Sequence, residues 1–71
     1  MIKVGDKVIY FQQSSQEKHA GVVTAGPYRK EFAALYPDQT PTTFVDDAYD
    51  LQINGNIVEG IRRKYLQKDK S

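Results

Sequence analysis

Apolar and polar residues alternate most regularly in the second half of the chain. Tyr49, Leu51 and Ile53 are separated by single polar residues, and the segment 54–56, Asn-Gly-Asn, follows directly. Alternation with a period of two is typical of a strand that buries one face, and Asn and Gly tolerate the positive φ angles of tight turns. A second β-prone run, beginning Ile-Val, comes next. The pattern therefore predicts a β-hairpin over residues 49–61.

The register of this hairpin depends on which residues form its turn. A two-residue turn at 54–55 would place Asp50 opposite Glu59, and like charges that face each other across strands are destabilising. We therefore favour a three-residue turn over residues 54–56 or a turn on residues 55–56. The first pairs Ile53 with Ile57 and Tyr49 with Ile61, and the second pairs Ile53 with Val58.

Three further segments have the composition of short strands. Residues 7–11 are rich in β-branched and aromatic side chains, and residues 19–25 form a second such run. Gly21 inside the second run predicts a bulge or a sharp bend. The polar segment 12–18 is predicted to be a loop, and residues 43–45, Thr-Phe-Val, a short additional strand.

Between these strands the pattern changes to a helical one. Tyr28, Phe32, Leu35 and Tyr36 recur at spacings of four, seven and eight residues. Pro27 suits the first position of a helix, and Pro37 ends the pattern. The spacing predicts a short amphipathic helix over residues 27–36 that docks on the sheet as an insert.

The segment after the hairpin is too short for a helix with a buried face. Residues 62–67 instead predict a single 3₁₀ turn followed by a brief closing strand. That strand is expected to carry Tyr65 or Leu66 into the core.

These elements together predict a mainly β fold. Four or five short antiparallel strands with one short helical insert indicate a small, partly open barrel. We expect one domain over residues 1–67 and a frayed tail over residues 68–71. A chain of 71 residues and 8.1 kDa buries only about 60% of its surface, and it has no cysteine for a disulfide or a zinc site. Close packing or self-association must then supply the stability.

The net charge of the chain adds little to these predictions. Ten basic and nine acidic residues give a net charge of +1, which is too near neutral to predict binding to nucleic acid or to a membrane surface. No apolar run has the length of a signal peptide or of a membrane span. The expected location is cytoplasmic, and no cofactor is expected.

Several motifs in this order resemble the Src homology 3-like barrels of the KOW and Tudor type. They are Val4-Gly5-Asp6-Lys7-Val8, then Gly21-Val22-Val23, then Tyr49-Asp50-Leu51 with Ile53 and Gly55, then Val58 to Ile61, and finally Tyr65-Leu66. The chain also looks like small proteins of bacteria and phages. The segment 26–47 is longer than the connection that such barrels carry between their second and third strands.

The resemblance implies a binding role, because such barrels bind peptides, nucleic acids or other subunits and are rarely enzymes. A cage of the Tudor kind would gather three or four of the tyrosines and phenylalanines around a cation, with Asp46 or Asp47 at its rim.

Residues that could carry catalysis or hold a metal are few and scattered. His19 is the single histidine and is expected to be an exposed or capping residue, and Ser14-Ser15 lacks the context of a nucleophile. Asp46, Asp47 and Asp50 could approach a hard cation, but turn formation and solubility explain them better. We therefore expect no enzyme, catalytic residue or metal site; an enzyme with a site shared between subunits is the remaining catalytic alternative.

The strongest local charge cluster follows the hairpin. Arg62, Arg63, Lys64 and Lys68 lie in the basic segment 62–70 and could contact phosphates, with bases stacked on a nearby tyrosine. This gives the alternative hypothesis, a nucleic-acid-binding barrel.

The leading hypothesis is a non-enzymatic interaction module that acts as an accessory or structural protein of a bacterium or phage. The helical insert carries an aromatic stripe of the kind enriched in protein interfaces. The predicted partner-binding residues are Tyr28, Phe32, Tyr36 and Phe44, and the predicted partner is another protein or a second copy of the chain.

Overall fold

A computed structural model describes residues 1–12, 15–34 and 42–69. Within them, five strands form one antiparallel sheet in the order β4-β3-β2-β1-β5. The mainly β prediction is therefore confirmed, and the sheet is not closed within these residues because β4 and β5 remain its two edges. The elements are β1 (Lys7–Gln12), β2 (Glu17–Ala34), β3 (Thr42–Ile53), β4 (Asn56–Arg62), a 3₁₀ turn (Arg63–Tyr65) and β5 (Leu66–Lys68).

The sheet curls around one apolar core to which every strand contributes. Tyr49, Leu51 and Ile53 of β3 are all buried, as their alternation predicts. The other buried members of the cluster are Ile2, Val8, Val23, Ile61 and Leu66, and Tyr10, Val58 and Tyr65 pack against it. Since these residues come from both ends of the sheet, the core holds the two edges close to each other.

The preferred registers of the hairpin are wrong. The turn has two residues, Asn54 at φ 51° and Gly55 at φ 81°, and Ile53 pairs with Asn56. In a regular ladder, this register would set the carboxylates of Asp50 and Glu59 opposite each other. The ladder is not regular, since its register shifts between Leu51 and Tyr49.

The shift comes from an extra residue on β4. Gly60 adopts φ 71°, so that Tyr49 faces Ile61, as the three-residue turn had also required. The N–H of Gly60 donates a hydrogen bond to Asp50 Oδ1 at 3.1 Å. A β-bulge therefore replaces the expected repulsion between Asp50 and Glu59 with a hydrogen bond.

The predicted helix over residues 27–36 is also wrong. β2 continues to Ala34, and Tyr28 and Phe32 lie in the strand, where they pair with Ala48 and Phe44. Residues 35–36 lie outside the described part of the chain. Side chains four residues apart share a face in a strand as well as in a helix, so the first two aromatic positions fit both structures. A short helix is marginal alone, whereas a strand along β3 gains partners for its backbone.

The far halves of β2 and β3 form a two-stranded ribbon that projects from the rest of the sheet. Ala48 pairs with Arg62, the last residue of β4, so that beyond this point β3 pairs with β2 alone. The ribbon comprises residues 28–34 and 42–47, and the molecule measures 42 Å along its longest axis. The strand predicted over residues 43–45 is the end of the much longer β3.

The bend that starts the ribbon lies later than the sequence suggests. Gly21 pairs in register with Val8, so the predicted bulge at this glycine is wrong. A Cβ on Gly21 would lie 2.8 Å from Ile53 Cγ1, which shows that close packing requires the glycine. The irregularities occur instead between Val23 and Tyr28, around Gly26 at φ 118°.

The C-terminal prediction is confirmed. A 3₁₀ turn leads into β5, Leu66 is buried, and Tyr65 is half-buried against the core. β5 reaches Lys68, which pairs with Val8, and the Asp69 N–H donates to the carbonyl of Lys7. The division into one domain and a short tail stays a prediction. The described residues contain no helix with the length and apolarity needed to cross a membrane.

The bend gives a first prediction. A Cβ on Gly26 would lie 2.8 Å from both the Ala48 carbonyl oxygen and Tyr49 Cδ1, neither of which can move freely. We expect Gly26→Ala to lower the free energy of unfolding by about 3 kcal/mol or more, because strain and overpacking add. The measurement is urea unfolding.

Gly55→Ala is the matched control. Gly55 also has a positive φ, but no atom lies within 4 Å of the added Cβ. Its cost should be only that of the left-handed backbone, about 1–2 kcal/mol. Equal losses in the two variants would contradict the assignment of the bend to close packing at Gly26.

Candidate functional site

A groove made of two cavities that share Tyr10 lies beside β4, one of the two edge strands of the sheet. Its larger part, the aromatic cavity, has a volume of 740 Å³ and lies between the ribbon, the end of β4 and the 3₁₀ turn. Its smaller part, the polar cavity, has a volume of 320 Å³ and lies beside the hairpin turn. Tyr10 of β1 lines both cavities, and β4 contributes Asn56 and Val58 to the polar cavity and Gly60 to Arg62 to the aromatic one. The two cavities together are called the seam.

The wall formed by the ribbon consists of two stacked rings. Phe32 and Phe44 are direct partners across the ribbon, with ring centroids 5.9 Å apart and planes inclined at 26°. Paired residues on antiparallel strands project to the same side, which explains why both rings enter the groove. Tyr10 and Tyr65, both half-buried against the core, also line the cavity.

Arg62 lies against the ring pair and already supplies it with a cation. Its guanidinium carbon lies 4.6 Å from the centroid of Phe44 and 5.6 Å from that of Phe32. Its Nη2 and Nε lie 3.1 Å and 3.2 Å from Asp46 Oδ2. The predicted cage requires three or four rings around a cation, whereas two rings lie near this guanidinium, with the Asp46 carboxylate beside it. The cation in this structure is the chain's own arginine.

Asp46 connects this arginine to the place where β4 leaves β3. Its Oδ1 accepts a hydrogen bond of 2.8 Å from the backbone N–H of Asp47, and its Oδ2 faces Arg62. The hydrogen bond from Asp47, and then that from Arg62, hold the pKa of the Asp46 carboxyl below its ordinary value. The carboxylate therefore helps to hold the ribbon in position beside β4.

Two lysines bring further positive charge to the aromatic cavity. Lys64 lines it and has its ammonium 5.3 Å from the ring centroid of Tyr65. Lys30 does not line the cavity; its ammonium lies 5.8 Å from the Phe32 centroid and beside Gly60, a lining residue where an added Cβ would collide with it. Lys30 was not singled out from the sequence, although a strand would place it on the same side as Phe32.

The predicted partner-binding residues are only partly brought together. Phe32 and Phe44 share the groove, as described above. Tyr28 does not line it; its hydroxyl donates a 2.6 Å hydrogen bond to Asp50, and this bond raises the pKa of the phenol. Tyr36 lies outside the described residues. Tyr10 and Tyr65 join the site because the core positions them beside it, which the sequence pattern alone does not reveal.

The predicted basic cluster is divided. Arg62 and Lys64 line the aromatic cavity, but Arg63 donates from Nη1 to the carbonyl of Leu66 at 2.7 Å. Lys68 pairs with Asp6 at 3.6 Å. Lys70, at the end of the predicted basic segment, lies outside the described residues. The described basic side chains therefore do not form one continuous patch.

The acidic residues and the histidine have structural partners. Asp47 pairs with Arg29 at 2.8 Å, and Asp50 accepts hydrogen bonds from Tyr28 and Gly60. His19 lies beside the polar cavity, with Nε2 3.3 Å from Glu17 Oε2. In the described part of the chain, no three histidine, cysteine, aspartate or glutamate side chains converge as a metal site would require.

Comparison of the chain with protein-family models, with curated proteins and with solved structures found no match. The geometry and charge of the seam are therefore the basis for assigning a function.

Asp46 gives a second prediction. Because its pKa lies below the ordinary value of 3.8, its charged form stabilises the fold above that pH, and this contribution is lost as the pH falls through the lower folded-state pKa. We expect Asp46→Asn to be less stable than the wild type at pH 7. The difference should shrink as the pH falls below about 4.

The measurement is thermal unfolding between pH 2.5 and pH 7. Glu31→Gln, which removes an exposed carboxylate from the same ribbon, controls for the change in net charge. A difference between Asp46→Asn and the wild type that does not vary with pH would contradict a stabilising role for the charged carboxylate.

Proposed function

We propose that this protein is a non-enzymatic binding module that holds an extended segment of a partner protein in the seam. We further propose that its sheet is a Src homology 3-like barrel. Support for the barrel comes from five strands around one core, from the facing edges β4 and β5, and from the 3₁₀ turn before the last strand. The origin in a bacterium or phage and the cytoplasmic location belong to the same proposal.

The elongated shape of the seam is the observation that carries the function. Two cavities share Tyr10 and follow β4 from Asn56 to Arg62. An extended chain rises about 3.3 Å per residue and so suits a long, narrow site better than a compact small molecule does. β4 is also an edge strand, and such edges recruit extended peptides through their unpaired backbone groups.

The ion pairs and hydrogen bonds of the basic residues favour a peptide ligand over a nucleic acid. A phosphodiester chain gains most of its affinity from cations that neutralise several successive phosphates. Arg62 is neutralised by Asp46, Lys68 by Asp6, and Arg63 is held by a backbone carbonyl, which leaves Lys64 as the member of the predicted cluster without such a partner among the described residues. The whole chain has a net charge of only +1. Aromatic rings with few free cations match the composition of a peptide site more closely.

The non-enzymatic part of the proposal rests on the lining of the groove. The aromatic cavity is lined by aromatic rings, by Lys64 and by Arg62, whose guanidinium is paired with Asp46, and these are groups that bind. An enzyme with a site shared between subunits, and self-association of the module, both stay predictions.

A comparison of neighbouring residues tests this function. Phe44 faces the groove, whereas Val45 points to the opposite side of the ribbon and is 54% exposed. The probe is a displayed library of random dodecapeptides, from which one enriched peptide is synthesised. We expect Phe44→Ala to weaken its binding at least about tenfold and Val45→Ala to leave it unchanged, because a buried aromatic anchor contributes over 1 kcal/mol. Fluorescence polarisation gives the affinities.

Circular dichroism separates loss of binding from loss of folding in these variants. Failure of the wild type to enrich any peptide would contradict the proposal, as would equal losses in the two variants. Binding of a single-stranded oligonucleotide at low salt that is abolished by Phe44→Ala would assign the groove to nucleic acid.

A further inference from the structure

The two lysines at the aromatic cavity differ from its arginine in one respect. Arg62 has a carboxylate at 3.1 Å, but among the described residues neither Lys30 nor Lys64 has an acidic partner within ion-pair distance. Each ammonium instead lies near the ring beside it, Phe32 for the first and Tyr65 for the second. Asp46 is the cross-strand partner of Lys30, but its Oδ2 lies 3.1 Å from Arg62, so the two lysines leave positive charge beside the aromatic cavity.

The two lysines come from different elements, and Lys64 lines the cavity whereas Lys30 borders it beside Gly60. Lys30 comes from the ribbon and crosses the β4 bulge, where Gly60 leaves room for it. Lys64 comes from the 3₁₀ turn. Residues from separate elements placed around one cavity define a position for an anion, whereas lysines along a single strand would only make a charged surface.

The opposite end of the seam has a different character. The polar cavity is bordered by the amides of Gln12, Asn54 and Asn56, and by His19, which already has a carboxylate neighbour. Amide groups hydrogen-bond to neutral backbone and to neutral polar side chains alike. The seam is therefore asymmetric in charge along its length.

We propose that the seam selects an acidic peptide, with an aspartate or glutamate carboxylate held by Lys30 and Lys64 at its aromatic end. This proposal rests on the proposed peptide-binding function and adds the chemistry of the ligand and its direction in the groove. The aliphatic part of the acidic side chain contacts Phe32 and Tyr65, and the rest of the peptide runs along β4 towards the polar cavity. Both ammonium groups are solvent-accessible, so the charge preference weakens as salt rises.

Charge reversal tests the assignment. The same random dodecapeptide library is selected on the wild type, on Lys30→Glu/Lys64→Glu and on Lys7→Glu/Lys18→Glu. The last is a matched control, since it changes the net charge equally at exposed residues that do not line either cavity of the seam. We expect acidic residues to be enriched near one fixed end of the peptides selected by the wild type and by the control. The first double variant should instead select lysine or arginine there.

A double-mutant cycle then measures the contact. One acidic peptide from the wild-type selection and its Asp→Asn or Glu→Gln counterpart are titrated against each protein at low salt. We expect the amide peptide to bind the wild type about five- to tenfold more weakly, since exposed ion pairs contribute up to about 1 kcal/mol each. The two peptides should bind Lys30→Gln/Lys64→Gln equally, and this pair of substitutions avoids the new repulsion that charge reversal creates.

The possible outcomes distinguish failure of the acidic-peptide proposal from failure of the peptide-binding function on which it rests. Peptides enriched without an acidic preference, or an acidic preference that survives charge reversal of the groove lysines, would overturn the ligand assignment and leave the peptide-binding function standing. No peptide enrichment, together with salt-sensitive binding of a twelve-nucleotide oligothymidine, would overturn both.

Discussion

The two hydrogen bonds that the Asp50 carboxylate accepts are the interactions on which the arrangement of β2, β3 and β4 depends. Its Oδ1 accepts one hydrogen bond from the Tyr28 hydroxyl and one from the N–H of Gly60, and so joins β2, β3 and β4 at one point. The bulge at Gly60 advances β4 by one residue. Because a shift of one residue exchanges the two faces of a strand, the bulge decides which side of the sheet Arg62 occupies. The groove lies on the side of the sheet that Arg62 occupies because of this shift.

The sequence predicted the parts of the fold that local pattern controls. Alternation over residues 49–53 located the buried face of β3, and the short C-terminal segment gave a 3₁₀ turn and a closing strand. Two predictions failed where local rules do not discriminate. Tyr28 and Phe32 share a face in either secondary structure, and the like-charge argument about Asp50 assumed a ladder without a bulge. Gly60 was the residue that could have indicated the bulge, since glycine accepts φ 71° without strain.

The candidate site was predicted in fragments. Phe32 and Phe44 were assigned to one surface, and Arg62 and Lys64 to another, yet the structure places all four in one cavity. Their proximity follows from the bend in β2 and from the end of the β3–β4 pairing, which are tertiary features. The neutralisation of Arg62 by Asp46 was equally hidden, because a count of basic residues along the chain does not show which carboxylate lies opposite. The charge available to a ligand is thus smaller than the sequence suggests and lies at other residues.

The contact of Arg62 with two rings and a carboxylate also has a kinetic consequence. A free arginine side chain samples many rotamers and loses about 2 kcal/mol of entropy when it becomes ordered. Here the ordering accompanies folding, so a chain that binds as proposed would meet a surface whose central side chain is already positioned. Preorganised sites bind with little rearrangement, and their association rates are set mainly by encounter and orientation. Under the proposed function, folding of the ribbon would prepare the groove before a partner arrives.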